Sequence, residues 1–143
     1  MASVDKPQPV HKILMAEDNE DDYILMRDAF AEAALPVDLS WVKDGEELMT
    51  RLKSFSPDLI LLDLNMPKKN GREALKEIKT DRHLKRFPVV IFSTSGSEKD
   101  VKATFDLGAN AYMQKPVGFE KYVGLAKALH GFWFGVSKIP HGT

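Results

Sequence analysis

The chain contains no cysteine. Disulfides, thiolate zinc sites and cysteine nucleophiles are therefore excluded, and a reducing compartment is compatible with the composition. It also lacks any apolar run approaching the ~18 residues of a membrane span. The opening "MASVDKPQPV" carries two prolines and no apolar h-region, so a secretory signal is not expected. Neither charge is in surplus. Lys and Arg number 20 against 21 Asp and Glu, a net charge of −1, which gives no general attraction to nucleic acid or an anionic membrane. Internal repeats and low-complexity segments are absent. These absences leave a cytoplasmic, soluble domain as the expectation. With 143 residues, 43% of them hydrophobic and 29% charged, the chain suits one core.

What is present is an alternation of two patterns. Short apolar runs occur at "KILMA" (12–16), "VDLSWV" (37–42), "LILL" (59–62), "PVVIFS" (88–93) and "AYMQ" (111–114). Between and after them lie stretches with apolar residues at helical spacing. The first carries Leu25, Met26, Ala29, Phe30 and Ala33 behind an acidic first turn, and Pro36 ends it. Others cover 44–55, 72–81, 97–108 with Ser97 and Asp100 as a capping signature, and 118–133 with Phe119, Tyr122, Val123, Ala126 and Leu129 expected inward. Residues 1–10 read as a flexible arm, 11–131 as the domain and 132–143 as an aromatic tail. Five β–α units predict an α/β fold, a parallel sheet with helices on both faces. In such sheets ligands bind at the carboxyl ends of the strands.

Each apolar strand runs into polar groups at that end. The first stops at Glu17-Asp18, the third at Asp63, the fourth at Ser93-Thr94-Ser95 and the fifth at Lys115-Pro116. Singly, each has an ordinary reading as a helix-start acid, a turn cap or a solvated loop charge. Together, on parallel strands, they place three carboxylates, a hydroxyl and an ammonium on one sheet edge. Clustered carboxylates raise one another's pKa, and a hard divalent cation relieves the repulsion. Magnesium, which keeps several waters and needs few protein oxygens, suits such a cluster.

These residues at these spacings resemble the receiver domain of two-component response regulators. The similarity spans about Lys12 to Leu129 and rests on the acidic pair after the first strand, "LLDLNMPKKNG", "PVVIFSTS" and "GANAYMQKP". Within that family, "DLNMPKKNGREALKEIK", "LKRFPVV" and "GFWF" resemble the small stand-alone receivers that partner bacterial phytochromes. The resemblance implies a flavodoxin-like (βα)5 three-layer sandwich with strand order 2-1-3-4-5. It makes Asp63 the phosphoacceptor, with Mg2+ held by Asp18, Glu17, Asp63 and the backbone carbonyl of Asn65. Ser93, with Thr94 beside it, Lys115 and Tyr112 would form the phosphate-binding and switch set, and Pro116 would follow Lys115 through a cis bond. Glu17 stands where the family more often has Asp, and Ser93 replaces a frequent Thr.

The function so implied is a single-domain response regulator, not an enzyme, that accepts a phosphoryl group from a sensor histidine kinase, of phytochrome type, or from a phosphotransfer protein. No DNA-binding unit is visible after the last helix, so direct DNA binding is not expected, and the aromatic tail offers either a fold-back onto the core or a homodimer contact. Two rivals stay open: a phosphorylation-independent interaction module of the same fold, and an aspartyl-phosphate phosphatase. The second wants an Asp two positions after the nucleophile, where this chain has Asn65. A nucleotide- or flavin-binding module would want a glycine- or hydroxyl-rich loop where "AEDNEDD" stands.

Overall fold

The computed structural model describes residues 9–140. Five strands, β1 (His11–Ala16), β2 (Val37–Val42), β3 (Leu59–Leu62), β4 (Val89–Ser93) and β5 (Ala111–Gln114), alternate with five helices. These are α1 (Glu20–Glu32), α2 (Gly45–Leu52), α3 (Gly71–Thr80), α4 (Glu98–Asp106) and α5 (Phe119–His130). All strand pairs are parallel, in the order β2-β1-β3-β4-β5. The five β–α units are those the sequence pattern predicts, and the order is the one the family resemblance implies.

The pleat sorts the apolar strand residues into two cores. Leu14, Ala16, Ile60, Leu62, Val89 and Ile91 face α2 and α3, packing on Leu48, Leu52, Ala74, Leu75 and Ile78. Ile13, Met15, Leu59, Leu61, Val90 and Phe92 face the other way, against Met26, Ala29 and Phe30 of α1 and Tyr122, Ala126 and Leu129 of α5. Covered on both faces, β3 and β4 have room only for apolar side chains along their length. Polar chemistry is therefore pushed to their ends.

Local capping fixes where the helices start, just beyond those ends. Asn19 Oδ1 accepts from the amides of Asp21 and Asp22 at 2.9 and 3.3 Å, and Asp44 Oδ1 from Glu47 at 2.9 Å. Asn70 and Glu73 form a reciprocal capping box on α3. Ser97 accepts from the Asp100 amide at 3.1 Å, as its spacing suggests. Each cap leaves a short loop between a strand and an anchored helix.

Three expectations shift. The helix expected over 44–55 ends at Leu52, because its last turn tightens: Lys53 and Ser54 donate to the carbonyls three residues back. Phe119 opens α5 and is 39% exposed; the buried stripe begins one turn later at Tyr122. Past α5 the chain does not leave the domain at once. Gly131–Val136 continue as a π-helical turn, closed by the Ser137 amide on the Phe132 carbonyl at 2.7 Å. Trp133 and Phe134 pack onto the α1–α5 core, and Phe134 stacks on His11 at 4.1 Å.

The loop after β3 is set by close backbone contact. Gly71 donates to the Leu64 carbonyl at 3.0 Å, and a Cβ there would sit 2.1 Å from the Asp63 carbonyl oxygen and 2.7 Å from Leu64 Cα. We expect Gly71→Ala to displace this loop and destabilise the fold by roughly 1–3 kcal/mol, the range for overpacking. Urea unfolding of the two proteins measures the difference.

Candidate functional site

Glu17 follows β1 directly. Its amide donates to the Val42 carbonyl at 2.9 Å, and its carbonyl accepts from Trp41 Nε1 at 2.7 Å. The side chain is fully buried, unusual for a glutamate, and is turned into the sheet end with a partner waiting. Asp18, the next residue, is exposed. Asp63 follows β3, its amide bonded to the Ala16 carbonyl at 3.0 Å, and only 6% of it is exposed. One carboxylate oxygen from each of Glu17, Asp18 and Asp63 lies within 4.8 Å of the others.

The counter-charge comes from the far side of the sheet end. Lys115, just past β5, reaches back so that Nζ lies 2.7 Å from Glu17 Oε1, 2.8 Å from Asp22 Oδ2 and 3.5 Å from Asp63 Oδ2. Its ammonium also sits over the Phe92 ring, 5.7 Å from the centroid, so one wall of the site is apolar. Burial alone would lower its pKa. The contacts with Asp22 and Glu17 and the charge of Asp63 outweigh that and leave it above the ordinary lysine value. The Glu17 carboxyl lies above the ordinary carboxylate range. Burial, then its approach to Asp63, pushes it up to about 8 against the lowering pull of Lys115. Tyr122, buried beneath, is raised to about 12 by burial and by the negative charge of Asp22.

One ammonium thus meets Glu17, Asp22 and Asp63, with Asp18 beside two of them, and the site carries an excess of oxygen donors. That donor set fits a hard divalent cation rather than a soft one.

The remaining expected residues divide. Ser93 is fully buried at the end of β4, and its Oγ accepts from the Ser95 amide at 3.3 Å. Thr94 is exposed and offers its carbonyl to Gln114 Nε2 at 3.1 Å, so of the two hydroxyls Ser93 is the one built into the sheet end. Tyr112 is half-buried and donates its hydroxyl to the Ser95 carbonyl at 2.8 Å, tying β5 to the loop after β4. Asn65 is exposed, and its amide points at Asp63 Oδ1 across 3.4 Å. The expected cis bond before Pro116 is not found: the described peptide bonds are all trans. With a trans bond the Lys115 amide still donates to the Ser93 carbonyl at 2.7 Å and Nζ still reaches the acids, and the trans form is the lower in energy by about 0.5–1 kcal/mol.

Sequence reasoning missed Asp22 and Trp41. Asp22 read as one of three acids at a helix start. Only its place one turn into α1, facing the sheet end, distinguishes it from Glu20 and Asp21.

A family model for the response regulator receiver domain matches residues 13–127. The chain is a response regulator receiver domain. This receiver is 36% identical to response regulator Rcp1 of Synechocystis, covering 95% of this chain and 97% of that one. Among solved structures it is similar to the phosphorylated cyanobacterial phytochrome response regulator RcpA, at a TM-score of 0.86 and 40% identity over 92% of this chain and 99% of that one. It is also similar to the Mn2+-bound form of Rcp1, at 0.82 and 36%, over 91% and 99%. The receiver's strand order and helix count are those of the flavodoxin-like receiver fold. No described helix is long and apolar enough to cross a membrane.

Removing the ammonium leaves the carboxylates uncompensated. We expect Lys115→Met to lower metal-free stability by about 3 kcal/mol, the scale for orphaning one side of a buried ion pair. Part of that loss should return on adding a divalent cation, and thermal unfolding with and without Mn2+ reads both effects.

Proposed function

We propose that Asp63 accepts a phosphoryl group in a magnesium-dependent reaction, from the phosphohistidine of a sensor histidine kinase of phytochrome type or of a phosphotransfer protein. The observation that carries this is the buried Asp63 carboxylate, held beside Glu17, Asp18 and the Lys115 ammonium at the carboxyl edge of the sheet. Glu17, Asp18, Asp63 and the Asn65 carbonyl would hold the ion. When bound, it supplies positive charge to phosphoryl oxygens, which in the loose transition state of phosphoryl transfer carry most of the negative charge.

The chain's own part is positioning. An Asp63 oxygen forms the new bond to phosphorus, the N–P bond of the donor breaks, and its electron pair leaves on the imidazole, which takes up a proton. Lys115 starts nearer to Glu17 and Asp22 than to Asp63. A phosphoryl group on Asp63 offers it a denser negative partner, and the ammonium moves toward it. Ser93, already at the strand end, donates its hydroxyl to another phosphoryl oxygen. Its shift pulls on the Ser95 amide, and the Tyr112 hydroxyl on the Ser95 carbonyl responds. A local change in charge thus biases the loop after β4 between two positions.

On this reading the receiver is a switch and not an enzyme, since it turns over no separate substrate. Asn65, which lacks an ionisable side chain two residues past the nucleophile, argues against a phosphatase. Output runs through protein contacts rather than DNA. Phe132 and Val136, 54% and 79% exposed on the π-helical turn, suit a homodimer contact. Sedimentation of the protein and of Phe132→Asp tests that part: a dimer that the substitution returns to monomer is expected.

Intact mass after incubation with a small-molecule phosphodonor tests the central assignment. A gain of one phosphoryl group is expected with Mg2+, little without it, and none in Asp63→Asn. Robust phosphorylation of Asp63→Asn would sink the proposal.

A further inference from the structure

Asp18 is the one member of the acidic triad that is exposed, while Glu17 and Asp63 are buried. Packing therefore cannot aim its carboxylate as it aims the other two. What stands closest to a fixture is the peptide group joining Glu17 to Asp18, and that group is gripped. The Glu17 carbonyl, just past the β1–β2 ladder, accepts from Trp41 Nε1 at 2.7 Å. The same residue's amide is bonded to the Val42 carbonyl at 2.9 Å, so consecutive residues of β2 hold both backbone groups of Glu17. On the other side, Glu17 Oε2 accepts from the Asn19 amide at 3.2 Å. Asp18 sits between two secured residues.

The indole is itself immobilised. It stacks on Tyr23 of α1, centroids 4.4 Å apart and planes 6° from parallel. Lys43 and Arg27 close the column at its ends, Lys43 over Trp41 at 5.2 Å and Arg27 over Tyr23 at 5.9 Å. A buried or half-buried indole seeks a partner for its N–H. Here that partner is the backbone of the acidic loop, although Trp41 sits on an edge strand and is remote in sequence from Glu17, Asp18 and Asp63.

We propose that Trp41 is a positioning residue for the cation site: its N–H fixes the Glu17–Asp18 peptide plane and so aims the Asp18 carboxylate. This rests on the reading of Glu17, Asp18 and Asp63 as metal ligands. Groups that orient ligands without touching the metal commonly control affinity by 10–100-fold.

The test uses Trp41→Phe, which keeps an aromatic ring against Tyr23 and deletes the N–H. Leu39→Ala is the control, since it weakens the same strand's packing without touching Glu17. Two readouts are taken on the whole chain. The first, metal-free, is the backbone amide order parameter of Asp18, whose N–H belongs to the peptide plane in question. The second is Mn2+ affinity by calorimetry. In Trp41→Phe the order parameter is expected to fall and the affinity to weaken by about tenfold. In Leu39→Ala both should stay near wild type despite lower stability. Unchanged Asp18 dynamics and affinity in Trp41→Phe would overturn the proposal, as would an equal loss in the control. A wild-type chain that takes up no Mn2+ would overturn the metal-site reading itself, and this inference with it.

Discussion

One ammonium group holds the carboxyl edge of this sheet together. Lys115 crosses from the end of β5 to meet acids that follow β1 and β3 and open α1. Without it, Glu17 and Asp63 would be buried side by side with no counter-charge, a costly arrangement. With it, Glu17, Asp18, Asp22 and Asp63 stand close together around a single ammonium, which cannot answer all of their negative charge. The site is held in a state of incomplete neutralisation, and that deficit is what an added divalent ion would answer.

The scaffold makes this arrangement affordable by being apolar elsewhere. The strands that deliver Asp63 and Ser93 are buried on both faces, so their backbone positions are fixed by packing over their whole length. The loops that follow are short and clamped, by the Asn19, Asn70 and Ser97 caps and by the close seat of Gly71 on the Asp63 carbonyl. Rigid strands and pinned helix starts frame the loop after β4, where hydrogen bonds link Ser93, Ser95 and Tyr112, and it is through this linkage that the proposed switch would act.

Much of this was legible in the chain itself. Fully apolar runs that stop on Asp63, on Glu17-Asp18 and on Ser93 mark buried parallel strands and their exits, because a carboxylate cannot lie within such a strand. The strand order followed from the family resemblance those exits carry. What the sequence hid was tertiary. Asp22 is indistinguishable from Glu20 and Asp21 until α1 is placed against the sheet end. Trp41 reads as one more alternating strand residue until its indole is seen to cross to β1. The isomer before Pro116 is set by surroundings and not by the residue's identity. The aromatic tail split in two, with Trp133 and Phe134 packed inward and Phe132 and Val136 facing outward, which periodicity could not resolve across a π-helical turn.

That turn has a topological consequence. By seating Phe134 on His11, it lays the segment after α5 against the start of β1. The first strand and the last helical residues enter and leave the body at one place, at the opposite edge of the sheet from Asp63. Material joined there, whether another protein's loop or a linker closing the chain on itself, would approach the domain from behind. Such a geometry lets the domain be inserted into a host as a cassette while its acidic edge stays open to a partner.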